Sequence, residues 1–424
     1  MLQKCIDCGK EFPVNEARYE CECSGLLEIV QDLKSAKKAV SKKLFESRMG
    51  SREYPYGSGV WRYKELIHPL IPDEKIVSIW EGNTGIHFGE PLREYVGLKD
   101  FFAKAQGENP TGSFKDNGMT VAISQANFLG LRKVACASTG NTSASMAAYC
   151  AIEKMNGIVF VPKGNIAMGK LSQALAYGVK TLQVEGNFDE ALKFVRANSL
   201  KLGMYLVNSI NPFRIEGQKS IAFEMAQQMD WKAPDWVIMP GGNLGNASAI
   251  GKGFRELKEI GFIDKIPRIA VVQSKGANPF YRLWKERLDS LIPVDDPHTI
   301  ASAVKIGNPV SWKKALREVQ ASKGVVEEVS DQEIMDAKAV VDSTGIGCEP
   351  ASACSVAGAK KLVDNGIIKS HEKVVGLLTG NILKDPDATI NYHLNKLEGI
   401  IPKFQNRPVE VRLDFGQIKR AIEG

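Results

Sequence analysis

The sequence predicts an α/β protein built from open, mostly parallel sheets. From about residue 75 onward one pattern repeats: a short β-branched segment, a turn rich in Gly, Asn, Ser or Thr, and then an amphipathic segment. Such alternation of strands and helices is typical of α/β folds. Several strand segments are apolar at every position, which suits parallel strands that are covered by helices on both faces.

Seven segments are predicted as strands, because each is short, rich in β-branched residues and bounded by turn residues. They are KVACAS near Val134, GIVFVP near Val159, KTLQVEG near Leu182, MYLVNS near Leu206, DWVIMP near Ile238, RIAVVQ near Val271 and KVVGLL near Val375. Ligand sites in open α/β sheets lie at the carboxyl ends of the strands. The polar turns that follow these segments are therefore the first candidates for function.

Helices are predicted between the strands, in amphipathic segments that begin at Phe188, Arg214 and Asp331. The segment from Asp331 has Ser330 as a candidate N-cap and acidic residues in its first turn, which favour the positive end of a helix. The sequence contains no evident internal repeat and no low-complexity tract.

Composition and charge exclude several classes of protein. The chain has 424 residues, of which 44% are hydrophobic and 25% charged, as in ordinary globular proteins with two or three structural units. The net charge of +6 is modest, and the basic segment KSAKKAVSKK is interpreted as the solvated side of a helix, so no nucleic-acid partner is expected. No apolar run approaches the ~20 residues that span a bilayer, and the N-terminal MLQKCIDCGK lacks a signal-peptide core. We therefore expect a cytoplasmic protein that does not bind membranes.

Four of the eight cysteines are clustered near the N-terminus, as Cys5-x2-Cys8 and Cys21-x-Cys23. Four thiolates could close a tetrahedral zinc site on a small ribbon. The second pair is one residue shorter than the usual CxxC, so a ribbon that packs without metal is the alternative. The spacing alone does not decide between the two interpretations.

One lysine, Lys115, lies in the polar turn ENPTGSFKD, after the strand-like FFAKA and before a segment with helical periodicity. A lysine in this position projects from the end of a strand. An amine buried among polar donors and other cations has a lowered pKa, which allows it to form a Schiff base and to move protons. A surface lysine in a loop is the alternative interpretation.

Three further polar turns follow strands in the same way: ASTGNTSAS at 137–145, NSINPFR at 208–214 and PGGNLGNAS at 240–248. In PGGNLGN, successive glycines let backbone N–H groups converge on an anion, and the positive end of the next helix adds to the attraction. The turn is neither a Walker loop nor a G-x-G-x-x-G fingerprint. A positioned lysine together with a separate phosphate cradle predicts a cofactor with both an aldehyde and a phosphate, which is pyridoxal 5′-phosphate (PLP).

The motifs NPTGSFKD, STGNTSAS, NSINPFRIEGQKS, PGGNLGN and TGNILKDP occur in the order and approximate spacing of the threonine synthases, within the fold type II class of PLP enzymes. The resemblance covers residues 77–386 and extends to the cysteine-bearing head, CIDCGKEF…YECECSGLLE. It implies a two-lobed fold similar to the tryptophan synthase β chain. The implied division is a zinc-ribbon-like head at 1–30, an N-terminal lobe at 31–215 with the Schiff-base lysine, and a C-terminal lobe at 216–424 with the phosphate loop.

The resemblance also implies roles for individual residues. Lys115 would bind PLP covalently and act as acid and base, Asn141 would contact the phenolic oxygen of the cofactor, and Thr379 would face its pyridine nitrogen. The phosphate cradle would be Gly241, Gly242, Asn243, Leu244, Gly245 and Asn246. Contacts to the substrate's carboxylate would come from Ser138, Thr139 and Thr142, and contacts to its phosphate from Lys170, Asn208, Ser209 and Arg214.

The implied reaction is that of threonine synthase, a lyase-type β,γ-replacement that converts O-phospho-L-homoserine and water to L-threonine and phosphate, in a homodimer. The alternatives are a relative with another substrate, such as cysteate synthase or threonine/serine dehydratase, and a non-catalytic zinc-ribbon interaction protein. Where relatives often have TGHGLKD, this chain has Asn381 and Ile382, and no role is assigned to that pair. The segment 299–312 also resembles the family, but no chemical role is assigned to it. The tail from Lys403 matches no motif of the family.

Overall fold

We analysed a computed structural model of the protein that describes residues 1–164, 168–186 and 188–423, apart from the side chains of residues 168–170, 188 and 189. The strands are β1 (Leu2–Cys5), β2 (Glu11–Phe12), β3 (Leu27–Val30), β4 (Ile86–His87), β5 (Phe101–Ala105), β6 (Lys133–Ala137), β7 (Asn156–Pro162), β8 (Lys180–Val184), β9 (Met204–Leu206), β10 (Trp236–Pro240), β11 (Arg268–Ser274), β12 (Val325–Val329) and β13 (Val374–Leu378).

The helices surround these strands. They are α1 (Leu33–Ala39), α2 (Lys42–Arg48), α3 (Lys64–Ile67), α4 (Glu90–Val96), α5 (Lys115–Phe128), α6 (Asn141–Ile152), α7 (Met168–Ala176), α8 (Phe188–Asn198), α9 (Pro212–Gln218), α10 (Ser220–Gln228), α11 (Gly245–Ile260), α12 (Pro279–Lys285), α13 (Trp312–Ala321), α14 (Asp331–Ser343), α15 (Pro350–Asp364), α16 (Pro386–His393) and α17 (Phe415–Glu423).

Two open sheets form the body of the molecule, and a small antiparallel sheet forms the N-terminal head. The first sheet has the order β8-β7-β6-β9 and is parallel throughout. The second has the order β12-β11-β10-β13-β5-β4 and is parallel except for the short edge strand β4. The head has the order β2-β1-β3. The predicted α/β fold with mostly parallel sheets and a cysteine-bearing ribbon is confirmed.

All seven predicted strands are present, and β12 is one that the sequence analysis missed. Its sequence, VVEEV, has two glutamates in the middle of the strand, and these interrupt the apolar pattern. The strand tolerates them because β12 lies at an edge of its sheet. The capping of α14 agrees with its prediction, since Ser330 and Glu333 form a reciprocal capping box. The segment from Arg214 forms two consecutive helices, α9 and α10.

The division of the chain at residue 215 stays a prediction. Strand β5, which leads to the turn of Lys115, pairs with β13 in the six-stranded sheet together with the strands after residue 215. Strands β6 to β9 form the four-stranded sheet by themselves. A division of the chain that keeps each sheet within one lobe therefore has to place β4 and β5 in the same lobe as the C-terminal strands.

Two glycines allow α5 and α9 to cross in direct backbone contact. A Cβ atom at Gly118 of α5 would lie 2.8 Å from the carbonyl oxygen of Arg214, and one at Gly217 of α9 would lie 1.9 Å from that of Asn117. Glycine is the residue that permits such close approach of two backbones. The crossing brings the first turn of α5, which carries Lys115, next to the first turn of α9, which carries Arg214.

A buried cluster of four charges connects α9 and α10 to α11. The ammonium of Lys219 lies 2.5 Å from Glu216 and 2.8 Å from Glu256, and Lys252 forms ion pairs with the same two carboxylates. Burial by itself would lower the pKa of Lys252, but the charges of Glu216 and Glu256 outweigh this effect and raise it above its usual value. The charges thus compensate one another inside the protein.

No helix in the described part of the chain is both long and apolar enough to cross a membrane.

We predict that Gly217→Ala destabilises the protein by about 1–3 kcal/mol, because the added methyl group forces α5 and α9 apart. The free energy of unfolding, measured by denaturant titration, tests this expectation. Gly416→Ala is the matched control, since Gly416 also lies in a helix and its nearest neighbour would be the flexible Asp414 carboxylate at 3.3 Å. Equal stability of Gly217→Ala and the wild type would contradict the close crossing.

Candidate active site

The turns after β5 and β13 lie side by side, because the two strands are parallel neighbours. Ser113 and Gly380 form an isolated antiparallel bridge. The backbone N–H of Phe114 donates to the carbonyl of Thr379 at 3.0 Å, and that of Asn381 donates to Gly112 at 2.9 Å. The turns NPTGSFK and TGN, far apart in the sequence, are thus held together by backbone hydrogen bonds.

Lys115 is the first residue of α5 and is partly buried between these turns. Its Nζ atom lies 3.6 Å from the centroid of the Phe114 ring. Burial first, and then the positive charge of Arg214, lower the pKa of Lys115 to about 7, while the charge of Glu349 acts in the opposite direction. A substantial fraction of this amine is therefore neutral at neutral pH, as a nucleophile requires.

The turn that precedes Lys115 is held closed by Asp116, which is fully buried. Its carboxylate accepts hydrogen bonds from the backbone N–H and the hydroxyl of Thr111, both at 2.7 Å, and from Ser145 of α6 at 2.5 Å. Burial raises the pKa of Asp116 to about 6. The contact with Ser145 couples the lysine turn to the helix that follows the STGNT turn.

Arg214 is a buried guanidinium that lacks a carboxylate partner in the described part of the chain. It is 2% exposed, its Nη1 donates to the carbonyl of Val207 at 3.0 Å, and its Nε has no hydrogen-bond acceptor. Burial lowers its pKa to about 10, so the group stays charged at neutral pH. A buried charge without a partner is costly, and a bound anion would offset that cost.

The STGNT turn follows β6 and opens α6. The side-chain amide of Asn208 holds the end of β6, since it accepts from the N–H of Ala137 and donates to its carbonyl, both at 2.9 Å. Ser138 accepts from the N–H of Gly140 at 3.3 Å. Among the described residues, the hydroxyls of Thr139 and Thr142 bind no other group, so they can donate to an anion.

The PGGNLGN turn follows β10 and opens α11. Leu244 has a left-handed backbone with φ of 64°, and no side chain caps the first turn of α11. A Cβ atom at Gly241 would lie 2.7 Å from the side chain of Val271, so the turn packs closely against β11. The methyl group of Ile215, next to Arg214, would lie 3.6 Å from a Cβ atom at Gly245, which places the cradle beside α9.

The cradle fits the phosphate of PLP on two observations. Asn246 is 7% exposed, yet neither its amide nitrogen nor its amide oxygen has a hydrogen-bond partner in the described structure. The uncapped N–H groups at the start of α11 add donors at the positive end of a helix, where phosphate groups bind. The segment 299–312 covers this turn, because Ser311 donates to the carbonyl of Asn243 at 3.2 Å.

Thr379 lies at the end of β13 and is 4% exposed. Its hydroxyl is 3.1 Å from that of Ser352 and 3.5 Å from the carboxylate of Glu349. Asn141, at the start of α6, donates to the same carboxylate at 3.0 and 3.3 Å. The residues predicted to contact two different edges of the cofactor ring therefore converge on one buried glutamate.

The predicted residues on different elements thus lie in one region of the molecule. The side chain of Lys170 lies outside the described residues, although α7 itself contacts the site through Gln173, which binds Thr111 and Lys384. The amide of Asn208 is engaged by the backbone of β6, and Ser209 is partly buried beside it. The assigned contacts of these residues with ligands stay predictions.

Sequence reasoning missed Asp116, Glu349 and Lys384. Glu349 stands in GCEPAS, where the Glu-Pro pair signals a helix start but not a buried carboxylate. Lys384 lies in the TGNILKDP motif, and burial lowers its pKa although Asp116 and Glu349 oppose the shift. Only the three-dimensional packing identifies these residues as parts of the site.

Comparison with known proteins agrees with this geometry. Residues 77–380 match the family described as Pyridoxal-phosphate dependent enzyme. The maize serine racemase structure has a TM-score of 0.64 at 20% sequence identity and covers 80% of this chain and 97% of the maize chain, which is a likeness of fold. The chain is therefore a PLP-dependent enzyme by its family, and the likeness to the maize structure is one of fold.

The sequence comparison is more specific. The chain is 46% identical to the threonine synthase of Methanocaldococcus jannaschii over all of both chains, and 39% identical to threonine synthase 2, chloroplastic, of Arabidopsis thaliana, with 98% of this chain and 82% of the plant protein covered. The structure of Escherichia coli threonine synthase has a TM-score of 0.70 at 16% identity and covers 100% of this chain and 99% of the other. The chain belongs to the threonine synthase family.

Proposed function

We propose that this protein converts O-phospho-L-homoserine and water to L-threonine and phosphate, and that Arg214 binds the phosphate group of the substrate. The observation that carries the proposal is the buried guanidinium of Arg214 without a carboxylate partner in the described structure, next to an amine that is partly neutral at neutral pH. A guanidinium forms paired hydrogen bonds with phosphate and stabilises it as a leaving group.

In this proposal, PLP is bound by the residues that the sequence motifs indicate. Lys115 holds it covalently, Asn141 donates to its phenolic oxygen and Thr379 faces its pyridine nitrogen. The turn from Gly241 to Asn246 binds its phosphate. Bound PLP supplies an electron sink that makes the Cα proton of an amino acid acidic.

The remaining chemistry belongs to side chains of this protein. Once the amine of the substrate has taken its place, Lys115 is a free amine and would remove the Cα proton of the substrate, because its lowered pKa leaves it able to accept a proton at neutral pH. A proton then leaves Cβ while phosphate leaves Cγ, where Arg214 offsets the negative charge of the departing group. A proton is returned to Cγ, water adds at Cβ, and Lys115 returns the Cα proton before threonine is released. Ser138, Thr139 and Thr142 would orient the substrate's carboxylate.

We predict that Arg214→Gln lowers kcat/KM for phosphate release from O-phospho-L-homoserine about 100-fold or more, because a desolvated charge contact is lost. Phosphate release by the purified protein measures the effect, and Arg412→Gln in the exposed tail is the matched control. Wild-type activity of Arg214→Gln would contradict the assignment of Arg214.

The same assay distinguishes the proposed reaction from its alternatives. O-Phospho-L-serine, tested with and without sulfite, probes a cysteate synthase, and L-threonine and L-serine probe a dehydratase. Preference for any of these substrates over O-phospho-L-homoserine would overturn the proposed function. Absence of turnover with all of them, together with absence of PLP in the purified protein, would favour a non-catalytic role.

We further propose that the head binds one zinc ion through Cys5, Cys8, Cys21 and Cys23. The four Sγ atoms lie within 4.8 Å of one another, and the pairs Cys5–Cys23 and Cys8–Cys21 are each separated by 3.5 Å. Zn–S bonds of ≈ 2.3 Å in a tetrahedron require sulfur atoms about 3.8 Å apart, so the thiols are close to the required spacing.

The zinc site is proposed to be structural, because the head contacts the four-stranded sheet and two helices that pack against the six-stranded sheet. The N–H of Leu206 in β9 donates to the hydroxyl of Tyr19 at 2.6 Å, which links the head to the four-stranded sheet. Lys252 of α11 and Lys314 of α13 donate to the carbonyls of Ile29 and Leu27 at 2.7 and 2.6 Å. A metal that stabilises the head would therefore stabilise the arrangement of the whole molecule.

We predict one zinc per chain by elemental mass spectrometry of protein purified without chelator. Cys8→Ser should lower the zinc content and the thermal unfolding temperature, because a structural metal contributes directly to folding. Glu11→Gln, on the same ribbon in an exposed ion pair with Lys4, should change neither. Zinc-free wild-type protein with the same unfolding temperature in the presence of excess zinc would contradict the site.

The protein is proposed to be a cytoplasmic homodimer, as the resemblance to the threonine synthases implies. Light scattering coupled to size-exclusion chromatography measures the oligomeric state of the full-length chain, and a monomer mass at micromolar concentration would contradict the dimer.

A further inference from the structure

Glu349 is a buried carboxylate to which neither the sequence motifs nor the proposed reaction gives a role. It lies directly before α15 and is 4% exposed. In the described part of the chain, none of the ion pairs includes Glu349. Buried carboxylates without an ion-pair partner are rare, because burial penalises the charged form. The burial of Glu349 therefore points to a specific role for its carboxylate.

The contacts of Glu349 are the two residues proposed to face the cofactor ring. The side-chain nitrogen of Asn141 lies 3.0 and 3.3 Å from the two carboxylate oxygens, and the hydroxyl of Thr379 lies 3.5 Å from one of them. An ionised carboxylate only accepts hydrogen bonds, so the amide of Asn141 must present its NH2 group toward Glu349. One N–H shared between the two carboxylate oxygens makes this contact, so the orientation of the amide is fixed and its second N–H is left for the phenolic oxygen of the ring.

The backbone holds the carboxylate in place. The N–H of Glu349 donates to the carbonyl of Gly380 at 3.1 Å, and Pro350 restricts the chain at the start of α15. A Cβ atom at Gly380 would lie 2.5 Å from the Cδ atom of Glu349. A side chain at Gly380 would therefore occupy the space of the carboxylate, and the glycine of the TGN motif leaves that space free.

The charged groups around Glu349 are Lys115, Lys384 and Asp385. Burial first, and then the charge of Asp385, raise the pKa of Glu349 above its usual value, although the hydrogen bond from Asn141 and the charges of Lys115 and Lys384 oppose the shift. The charged groups that act on Lys115 are Arg214, which disfavours the ammonium, and Glu349, which favours it. In its ionised form, Glu349 therefore opposes the effect of Arg214 on the reactive amine.

We propose that Glu349 is a positioning residue that orients Asn141 and Thr379 toward the cofactor ring and balances the charge of Lys115. The inference rests on the cofactor contacts in the proposed function, but it does not depend on which substrate the enzyme uses.

The experiment uses full-length protein from which PLP has been removed with hydroxylamine. The rate of PLP incorporation, followed by absorbance, is measured as a function of pH, together with the dissociation constant for PLP. Incorporation requires neutral Lys115, so the wild-type rate should rise with a midpoint near pH 7. Glu349→Gln removes a charge that favours the ammonium, so the midpoint should shift to lower pH, and the dissociation constant should rise by roughly tenfold.

Two further variants distinguish a positioning role of Glu349 from a purely structural role in the TGN turn. Ser352→Ala removes a hydroxyl that binds Thr379 and the N–H of Gly380, at 3.1 and 2.9 Å, without removing charge. Its midpoint should therefore equal that of the wild type even where its affinity for PLP falls. In Glu349→Gln/Asn141→Ala, the loss of binding free energy for PLP should be smaller than the sum of the losses in the two single variants, because Glu349 acts in part through Asn141.

An unchanged midpoint in Glu349→Gln would overturn the proposal, whether or not the affinity falls. If Glu349→Gln fails to fold, Glu349→Asp keeps the charge on a shorter side chain, and its midpoint should stay near that of the wild type while PLP binding weakens. A lowered midpoint in Glu349→Asp would overturn the proposal as well. These measurements need no turnover, so failure of the proposed reaction with O-phospho-L-homoserine would leave them interpretable.

Discussion

The packing of α9 is the constraint on which the site depends. Through Gly118 and Gly217, α9 crosses α5 in backbone contact, and through the buried charges of Glu216, Lys219, Lys252 and Glu256 its C-terminal end is tied to α11. The helix that carries Arg214 is therefore fixed between the helix of the reactive lysine and the helix that begins at the phosphate cradle. Breaking one partner of such a buried network leaves an uncompensated charge, which strongly favours the single arrangement seen here.

Sheet topology provides the second part of the arrangement. The pairing of β5 with β13 places the Lys115 turn beside the Thr379 turn, and the Ser113–Gly380 bridge continues their contact beyond the strands. Asp116 then couples the lysine turn to α6 through Ser145. Groups from five separate stretches of sequence thus reach one site, because each stretch follows the carboxyl end of a strand, as is usual in open α/β sheets.

The sequence was sufficient to predict the fold class, the seven principal strands and the turns that form the site, because glycine-rich and hydroxyl-rich turns after apolar strands are local patterns. It could not predict β12, whose two glutamates interrupt the apolar pattern at a sheet edge. Nor could it identify Glu349 or Asp116, since the burial of a carboxylate depends on contacts between distant segments. The same limit applies to Asn208, whose amide is engaged by the backbone of Ala137.

The eight cysteines fall into two groups with different chemistry. Cys136, Cys150, Cys348 and Cys354 are buried in the body, where burial raises the pKa of each thiol and leaves little thiolate. In the head, Cys8 and Cys23 are exposed to solvent. Because solvent reaches these two sulfur atoms and not the four in the body, oxidants and electrophiles should attack the head before the core. Oxidation of the ribbon would therefore precede oxidation of the core, and it would weaken the contacts of the head with β9, α11 and α13.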